Sequence, residues 1–383
     1  MNVIRSTAVL AALAIVSACR TAPPGPLPPA PAQQQQAGAT HAVIRTFFAT
    51  DRNPIGSYGV ERMFGKDRSH VVYGSCDVAI PRLHEVGALE SPLIWKMEFR
   101  EDPERHMMLL SAVLTTRDQF FLEAQARARN AKAGPRHNSN ALIFVHGYNV
   151  TFADAARRTA QMAYDLRFDG DPVFFSWPSQ GKMTAYTIDE QNIEWAQSDV
   201  KDFLDDFLTR SQVDNVYLIA HSMGNRALTR AVASLLAEKP ALRGRLKEVI
   251  LAAPDIDAEV FKRDIAPALA AAGRPVTLYA SSDDKALEAS QRVHRYPRAG
   301  ESGAGLVVVP GIETIDATGV DTSFMAHSYF ANARPVLEDL FSLIHDGKRA
   351  GERRWLEPRE SQGGMYWAFR VNAGNPTAAE RIH

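Results

Sequence analysis

The sequence predicts an α/β protein with a mostly parallel central sheet and helices on both faces. Two observations carry this expectation. From residue 141 onward, short apolar runs without polar alternation are separated by longer stretches of helical spacing. A strand that is apolar on both sides must be buried on both sides, as in a parallel sheet covered by crossover helices. Before residue 135 further strand-like runs occur, and they are expected to extend the same sheet.

In chain order, the early candidates are Val43–Phe48, Val71–Tyr73, Leu93–Phe99 and Met107–Leu114, followed by a helix capped by Thr116 and running through Arg129. Leu142–Val145 is the first strand of the regular alternation. The helix after it starts at Thr151, with Asp154 placed to close a capping box. Val173–Ser176 leads through Trp177-Pro178 to a helix over Glu190–Leu208. Val216–Ile219 is a strand, and Arg226 opens a run of helical spacing. Glu248–Ala252 is followed by a helix from about Ala258. Val276–Ala280 and Leu306–Val309 complete the strands, and a closing helix runs from about Tyr329 to Ile344. The tail 346–383 balances arginines with acids, and its Trp355, Tyr366 and Trp367 predict that it packs against the rest.

Chemistry concentrates at Ala220-His221-Ser222-Met223-Gly224, between a strand and a helix. A serine on such a tight turn has its hydroxyl lifted off the sheet, with the free N–H groups and positive end of the following helix nearby. Small residues flank it, here Ala220 and Gly224. His221 points away from such a site and packs. Downstream, Asp284 follows one strand end, and His327, in Met325-Ala-His-Ser-Tyr329, follows a later apolar run. A carboxylate just past one strand end and a histidine in a loop past the next would converge at the end of a parallel sheet, which is the geometry a hydroxyl nucleophile needs. The imidazole takes the serine proton, and a carboxylate fixes its tautomer. Asp283, Asp255 and Asp257 compete for the acid role, Asp255 being the principal alternative. Upstream, Ala141–Val145 ends in His146-Gly147-Tyr148-Asn149, whose loop would supply half of an oxyanion hole. Its donors are the backbone N–H groups of Tyr148 and Met223. His146 reads as a packed residue. Trp177, Tyr186 and Asp189 are candidate pocket residues, although core packing suits Trp177 equally.

The segments Phe144-Val-His-Gly-Tyr-Asn-Val-Thr-Phe152, Phe175-Ser-Trp-Pro-Ser179, Ala220-His-Ser-Met-Gly-Asn-Arg226, Ala253-Pro-Asp-Ile-Asp257 and Ala326-His-Ser-Tyr-Phe330 resemble a bacterial subgroup of the alpha/beta hydrolase superfamily, esterase/lipase-like and long described as a domain of unknown function. The resemblance extends from about Phe47 to about Leu343. It implies the alpha/beta-hydrolase fold, with antiparallel strands at the N-terminal side of the sheet formed by the runs before residue 135, and a serine-hydrolase site, and leaves the substrate open. The spacing Asp284-Lys-Ala-Leu resembles the acid region of that superfamily and favours Asp284 over Asp255. Asp51-Arg52 resembles a recurrent pair of the subgroup and reads as structural.

Net charge is −1 and apolar residues make up 45% of the chain, so it can bury a large core and offers no basic stripe for nucleic acid. Arg5 and the apolar run Ala8–Ala18 have the character of a signal peptide, too short to span a bilayer. Val16-Ser-Ala-Cys19 resembles a bacterial lipobox, which implies cleavage before Cys19 and its lipidation. Arg20 stands where an aspartate would imply inner-membrane retention, so the outer membrane facing the periplasm is expected. Several acyl chains on one residue anchor firmly. The expected organisation is a lipoprotein signal peptide over 1–18, lipidated Cys19 with a Pro/Gln-rich spacer over 19–40, a catalytic domain over 41–345, and the tail. Cys76 reads as a small buried hydrophobe. Both Ser-x-x-Lys matches lack companion motifs, and no metal-binding, P-loop or dinucleotide motif occurs, so no metal or organic cofactor is expected. The expected partners are a small-molecule ester or lipid and, through Cys19, a membrane. An acyltransferase using the same site, or an anchored binding protein that has lost catalysis, would share these features.

Overall fold

The computed structural model describes residues 40–56, 59–90, 102–135, 137–282, 290, 293–320 and 334–370. The N-terminal leader and spacer, the candidate strand Leu93–Phe99, Asp283, Asp284, His327 and the first residues of the closing helix lie outside them.

The strands are β1 (His41–Pro54), β2 (Phe64–Pro81), β3 (Met108–Thr115), β4 (Asn140–Val145), β5 (Asp171–Ser176), β6 (Asn215–His221), β7 (Leu246–Ala252), β8 (Val276–Ala280), β9 (Glu313–Asp316), β10 (Leu356–Ser361) and β11 (Gly364–Phe369). They form one sheet in the order β10-β11-β9-β8-β7-β6-β4-β5-β1-β2-β3. Neighbours from β11 across to β1 are parallel. β1–β2, β2–β3 and β10–β11 are antiparallel. The fold class read from the sequence is therefore the observed one.

The helices are α1 (Arg117–Ala133), α2 (Phe152–Asp165), α3 (Tyr186–Arg210), α4 (Gly224–Glu238), α5 (Ala258–Val260), α6 (Ala266–Ala271) and α7 (Arg334–His345). Thr116 caps α1 by accepting from the Gln119 N–H. Thr151 and Asp154 close a reciprocal capping box on α2. The helix expected from Ala258 is interrupted by a π-helical turn at Phe261–Ile265. One core joins the sheet to α1, α3, α4 and α6. The other joins its opposite face to α2 and α7. In the second core Phe48, Phe64, Phe152 and Phe174 interlock, with the Phe48 and Phe152 ring centroids 4.9 Å apart and nearly perpendicular. Each such buried ring contributes roughly 1.5–3 kcal/mol.

Two features differ from the sequence reading. Leu306–Val309 is not a strand: Val307 is buried, but Pro310 and Gly311, the latter at φ 84°, turn the chain first, and the strand is Glu313–Asp316. The valine run advertises burial, whereas the ladder falls on the more polar segment. The tail extends the same sheet as the hairpin β10–β11. Arg353, whose side chain is fully buried, holds it through Asp339 (2.7 Å) and Glu313 (2.5 Å). Arg349 adds Glu248 (2.7 Å) and Glu313 (2.9 Å).

The topology fixes where a site can form. From β4 the chain passes through α2 to β5, then returns through α3 to β6 on the far side of β4. The helices following β4 and β6 pack on opposite faces of the sheet. Loops leaving adjacent strands toward opposite faces open a crevice at their carboxyl ends.

Candidate active site

Ser222 stands at that crevice, one residue past β6, with φ 48°. Holding a non-glycine residue in this region costs of order 1–3 kcal/mol and requires surroundings that enforce it. The Ser222 N–H donates to Ala252 O (3.0 Å). Its carbonyl accepts from the Asp255 N–H (3.1 Å), the Asn225 N–H (3.2 Å) and Asn225 Nδ2 (3.0 Å). Asn225 Nδ2 also reaches Ala252 O at 3.1 Å, tying the turn to the end of β7. Ser222 Oγ is buried and has no hydrogen-bond partner among the described residues.

Two glycines bring the β4 exit onto this turn. A Cβ on Gly224 would stand 2.4 Å from His146 O and 2.6 Å from Val145 O. A Cβ on Gly147 would stand 2.9 Å from His221 Nδ1 and 3.1 Å from Ser222 Cβ. Ala220 is fully buried in the strand and occupies the other small position. The loop carrying Tyr148 therefore lies directly against the serine, with the N-terminus of α4 beside it.

Beneath that loop is a dense polar network. Arg52, fully buried at the end of β1, donates Nη2 to Val150 O (2.7 Å), Nη1 to Ser179 O (2.9 Å) and Gly65 O (3.1 Å), and Nε to Ser176 Oγ (2.8 Å). Burial lowers its pKa to about 10, against the neighbouring charges of Asp51 and Asp189. His146 Nδ1 is 2.8 Å from Gly147 O, which only a protonated Nδ1 satisfies, and Nε2 faces Ser176 Oγ at 3.2 Å. Trp177 stacks on the imidazole and donates Nε1–H to His146 O (2.7 Å). The Asp189 carboxylate accepts from the N–H groups of Asn149 (3.1 Å) and Gln180 (2.7 Å) and from Ser179 Oγ (2.5 Å). Asp51 and Arg52 make no hydrogen bond to each other, because successive residues of a strand face opposite ways. Both Asp51 oxygens are buried without a hydrogen-bond partner on any other described residue. Burial, and then Asp199, hold its carboxyl far above the usual range.

A second network lies behind the elbow. Asp255, fully buried just past β7, accepts at Oδ1 from Ser290 Oγ (2.6 Å) and forms an ion pair there with Arg298 (3.1 Å), whose Nε–H donates to Ser290 Oγ (2.7 Å). Its Oδ2 accepts from Tyr186 OH in a short hydrogen bond and from Arg226 Nη2 (3.3 Å). Arg226 also donates Nε to Asp255 O (2.7 Å) and pairs with Glu190 (2.7 Å), which His294 approaches at 2.8 Å. Burial, and then the Asp255 charge, push the Tyr186 hydroxyl pKa upward.

Of the residues singled out from sequence, Ser222, Tyr148 and Met223 meet at the crevice. Tyr186 contacts Tyr148 edge-on, with ring centroids 5.4 Å apart. Trp177 and Asp189 belong to the network under the Tyr148 loop, fully buried. Asp284 and His327 lie outside the described residues. The strands that precede them, β8 and β9, are adjacent and end on the same side of the sheet as β6. Asn225, Arg226 and Ser179 are not evident as site residues from sequence, because the contacts that place them, to Ala252 O, Asp255 O and the Val150 N–H, span 27 to 29 residues. Cys76 is buried, which pushes its thiol upward. Among the described residues no cluster of three or more His, Cys, Asp or Glu could hold a metal, and no helix is long and apolar enough to cross a membrane.

A strained serine between a parallel strand and a helix, at the switch point of such a sheet, defines an α/β hydrolase architecture. Residues 124–345 match the family of alpha/beta hydrolases of unknown function (DUF900), and the chain belongs to that family. No curated protein matches the chain. Similar solved structures include the carboxylesterase CesB of Bacillus subtilis, at 12% identity and TM-score 0.32, covering 60% of this chain and 98% of that one. Naproxen esterase of Bacillus subtilis is similar at 11% identity and TM-score 0.28, covering 53% and 84%. Thermogutta terrifontis esterase 2, phosphoramylated by tabun, is similar at 12% identity and TM-score 0.31, covering 55% and 84%.

Proposed function

We propose that this protein is a serine hydrolase of carboxylic esters, with Ser222 as nucleophile, His327 as base and then acid, and Asp284 as the carboxylate that orients the imidazole. The observation that carries the reading is the state of Ser222: left-handed, fully buried, its Oγ without a partner among the described residues, with the Gly147 loop against it at the switch-point crevice. The serine attacks the ester carbonyl as His327 takes its proton. The backbone N–H groups of Tyr148 and Met223 receive the developing oxyanion. The alkoxide leaves with the proton from the imidazolium, and water then releases the acyl group by the same steps in reverse. The saturation of Asp255 by four side chains supports Asp284 as the acid.

Turnover of short p-nitrophenyl esters, with covalent labelling by a fluorophosphonate, tests the reading. Ser222→Ala is expected to abolish labelling and lower kcat by about 10⁴–10⁶-fold. Turnover undiminished in that variant would overturn it. In the cell we place the enzyme in the bacterial envelope, held at the outer membrane through lipidated Cys19 and acting on a small-molecule ester or lipid. Loss of membrane association on Cys19→Ala tests the anchor.

A further inference from the structure

We infer that Asp189, with Ser179 and Arg52, is a positioning residue for the oxyanion loop: the three fix the backbone of Asn149 and Val150 and thereby aim the Tyr148 N–H at the carbonyl oxygen of the substrate. The inference rests on the serine-hydrolase reading above.

The loop Gly147–Val150 makes a turn that its own sequence does not enforce. Asn149 holds φ 58°, a left-handed conformation that asparagine tolerates but glycine would adopt more freely. The groups flanking Tyr148 are held from below. The Asn149 N–H donates to Asp189 Oδ2, and the Val150 N–H donates to Ser179 Oγ, which donates in turn to the same carboxylate oxygen. Arg52 takes the Val150 carbonyl from the other side at 2.7 Å and the Ser179 carbonyl at 2.9 Å. On the near side of Tyr148, Gly147 O is held by His146 Nδ1, and a Cβ on Gly147 would touch Ser222. Tyr148 is thus suspended between one residue packed on the nucleophile and two bolted to a buried carboxylate.

The chemistry explains why a carboxylate stands there. Asp189 Oδ2 accepts two donors while Oδ1 accepts the Gln180 N–H. A neutral amide presents one acceptor oxygen and, in place of the other, an NH2 facing donors. Ionised Asp189 also sits near the buried Arg52 guanidinium, which has no direct carboxylate partner among the described residues and is favoured by the charges of Asp189 and Asp154. An oxyanion donor works only if it is already aimed when charge develops, and a displacement of about 1 Å costs on the order of 10²-fold in rate.

The test is Asp189→Asn in the full chain. The expected result is a kcat for p-nitrophenyl acetate lowered about 10²-fold with KM changed less than about threefold. A trifluoromethyl ketone, whose serine adduct carries the same oxyanion, should weaken by a similar factor. A folded variant with wild-type kcat, or one that loses kcat while the ketone still binds at wild-type strength, overturns the inference. If Asp189→Asn does not fold, Ser179→Ala removes the relay to the Val150 N–H alone, and a roughly tenfold loss of kcat with the same weakening of the ketone is expected; unchanged kcat refutes it. Amide hydrogen exchange over Tyr148–Val150 separates this inference from the reading beneath it. Should the wild-type chain neither turn over esters nor label with a fluorophosphonate, the hydrolase reading fails. Faster exchange at these amides in the variant then still supports the clamp, and unchanged exchange refutes it.

Discussion

Asp255→Asn separates a structural carboxylate from a catalytic one. The side chain is fully buried: one oxygen accepts from Ser290 Oγ and pairs with the Arg298 guanidinium, and the other accepts from Tyr186 OH and Arg226 Nη2. The amide keeps one acceptor and turns the other into a donor facing donors. It also removes the carboxylate shared by Arg226 and Arg298, leaving Glu190 to Arg226 and no described acid to Arg298. Removing one member of a buried ion pair typically costs about 3–5 kcal/mol. At roughly 2–3 °C per kcal/mol for a chain of this size, Tm should fall by roughly 6–15 °C. This is well above the effect of a lost helix cap, about 1 kcal/mol, which sequence alone would assign to an aspartate in such a turn. Below the new Tm, kcat should change less than about tenfold, whereas Asp284→Asn should lower kcat on the order of 10⁴-fold through the wrong imidazole tautomer. Calorimetry and ester turnover on both variants decide the matter. An Asp255→Asn protein that melts like the wild type yet has lost its turnover would refute the structural role and make Asp255 the acid.

Gly147→Ala puts a methyl 3.1 Å from Ser222 Cβ, so the nucleophile must shift by a few tenths of an ångström; kcat is expected to fall roughly 10–10²-fold at nearly unchanged Tm. Gly224→Ala instead meets backbone oxygens at 2.4 and 2.6 Å, and calorimetry should register a stability loss of about 1–3 kcal/mol or more. His84 predicts a pH dependence of stability. Burial alone would lower its pKa, but hydrogen bonds to Asp165 and Glu90 raise it to about 10. The folded protein therefore holds this proton more tightly than the unfolded chain. Its contribution is complete below about pH 6.5 and is lost as pH rises through about 10. The urea midpoint should decline over that window, and His84→Gln should lower it at pH 7 while flattening the slope; an unchanged slope would refute the assignment.

Local signals carried most of what the sequence revealed. The elbow was legible because strand, small residues, serine and helix are contiguous, and the capping box at Thr151 because both partners lie within one turn. The strand at Glu313–Asp316 was hidden because Glu313 is satisfied by Arg349 and Arg353, contributed from beyond α7. The aromatic residues of the tail announced packing, but its hairpin depends on a free edge at β9 that no local pattern reveals. The same holds within the site. Asp189 was visible as a residue near the pocket, yet its partners Asn149 and Ser179 are joined to it only by the fold. Asn225 and Arg226 sit inside a recognised motif, yet Asn225 ties the turn to Ala252 at the end of β7, and the acids of Arg226 reside past β7 and on α3.

The direction of β1 has a practical consequence for handling the protein. Ala49, Phe175, Val145 and Ala220 lie in one register across four parallel strands. His41 is eight positions before that row and Ser222 two after it, so the first residue of β1 lies roughly 30 Å below the nucleophile along the strand direction. The last strand, β11, runs parallel to β9 and delivers Phe369 toward the crevice side. Immobilising the enzyme through the residues before His41 would leave the reactive mouth facing the bulk solution. A reporter fused after Phe369 would emerge on the same side as that mouth, where a bulky cargo crowds the approach to Ser222.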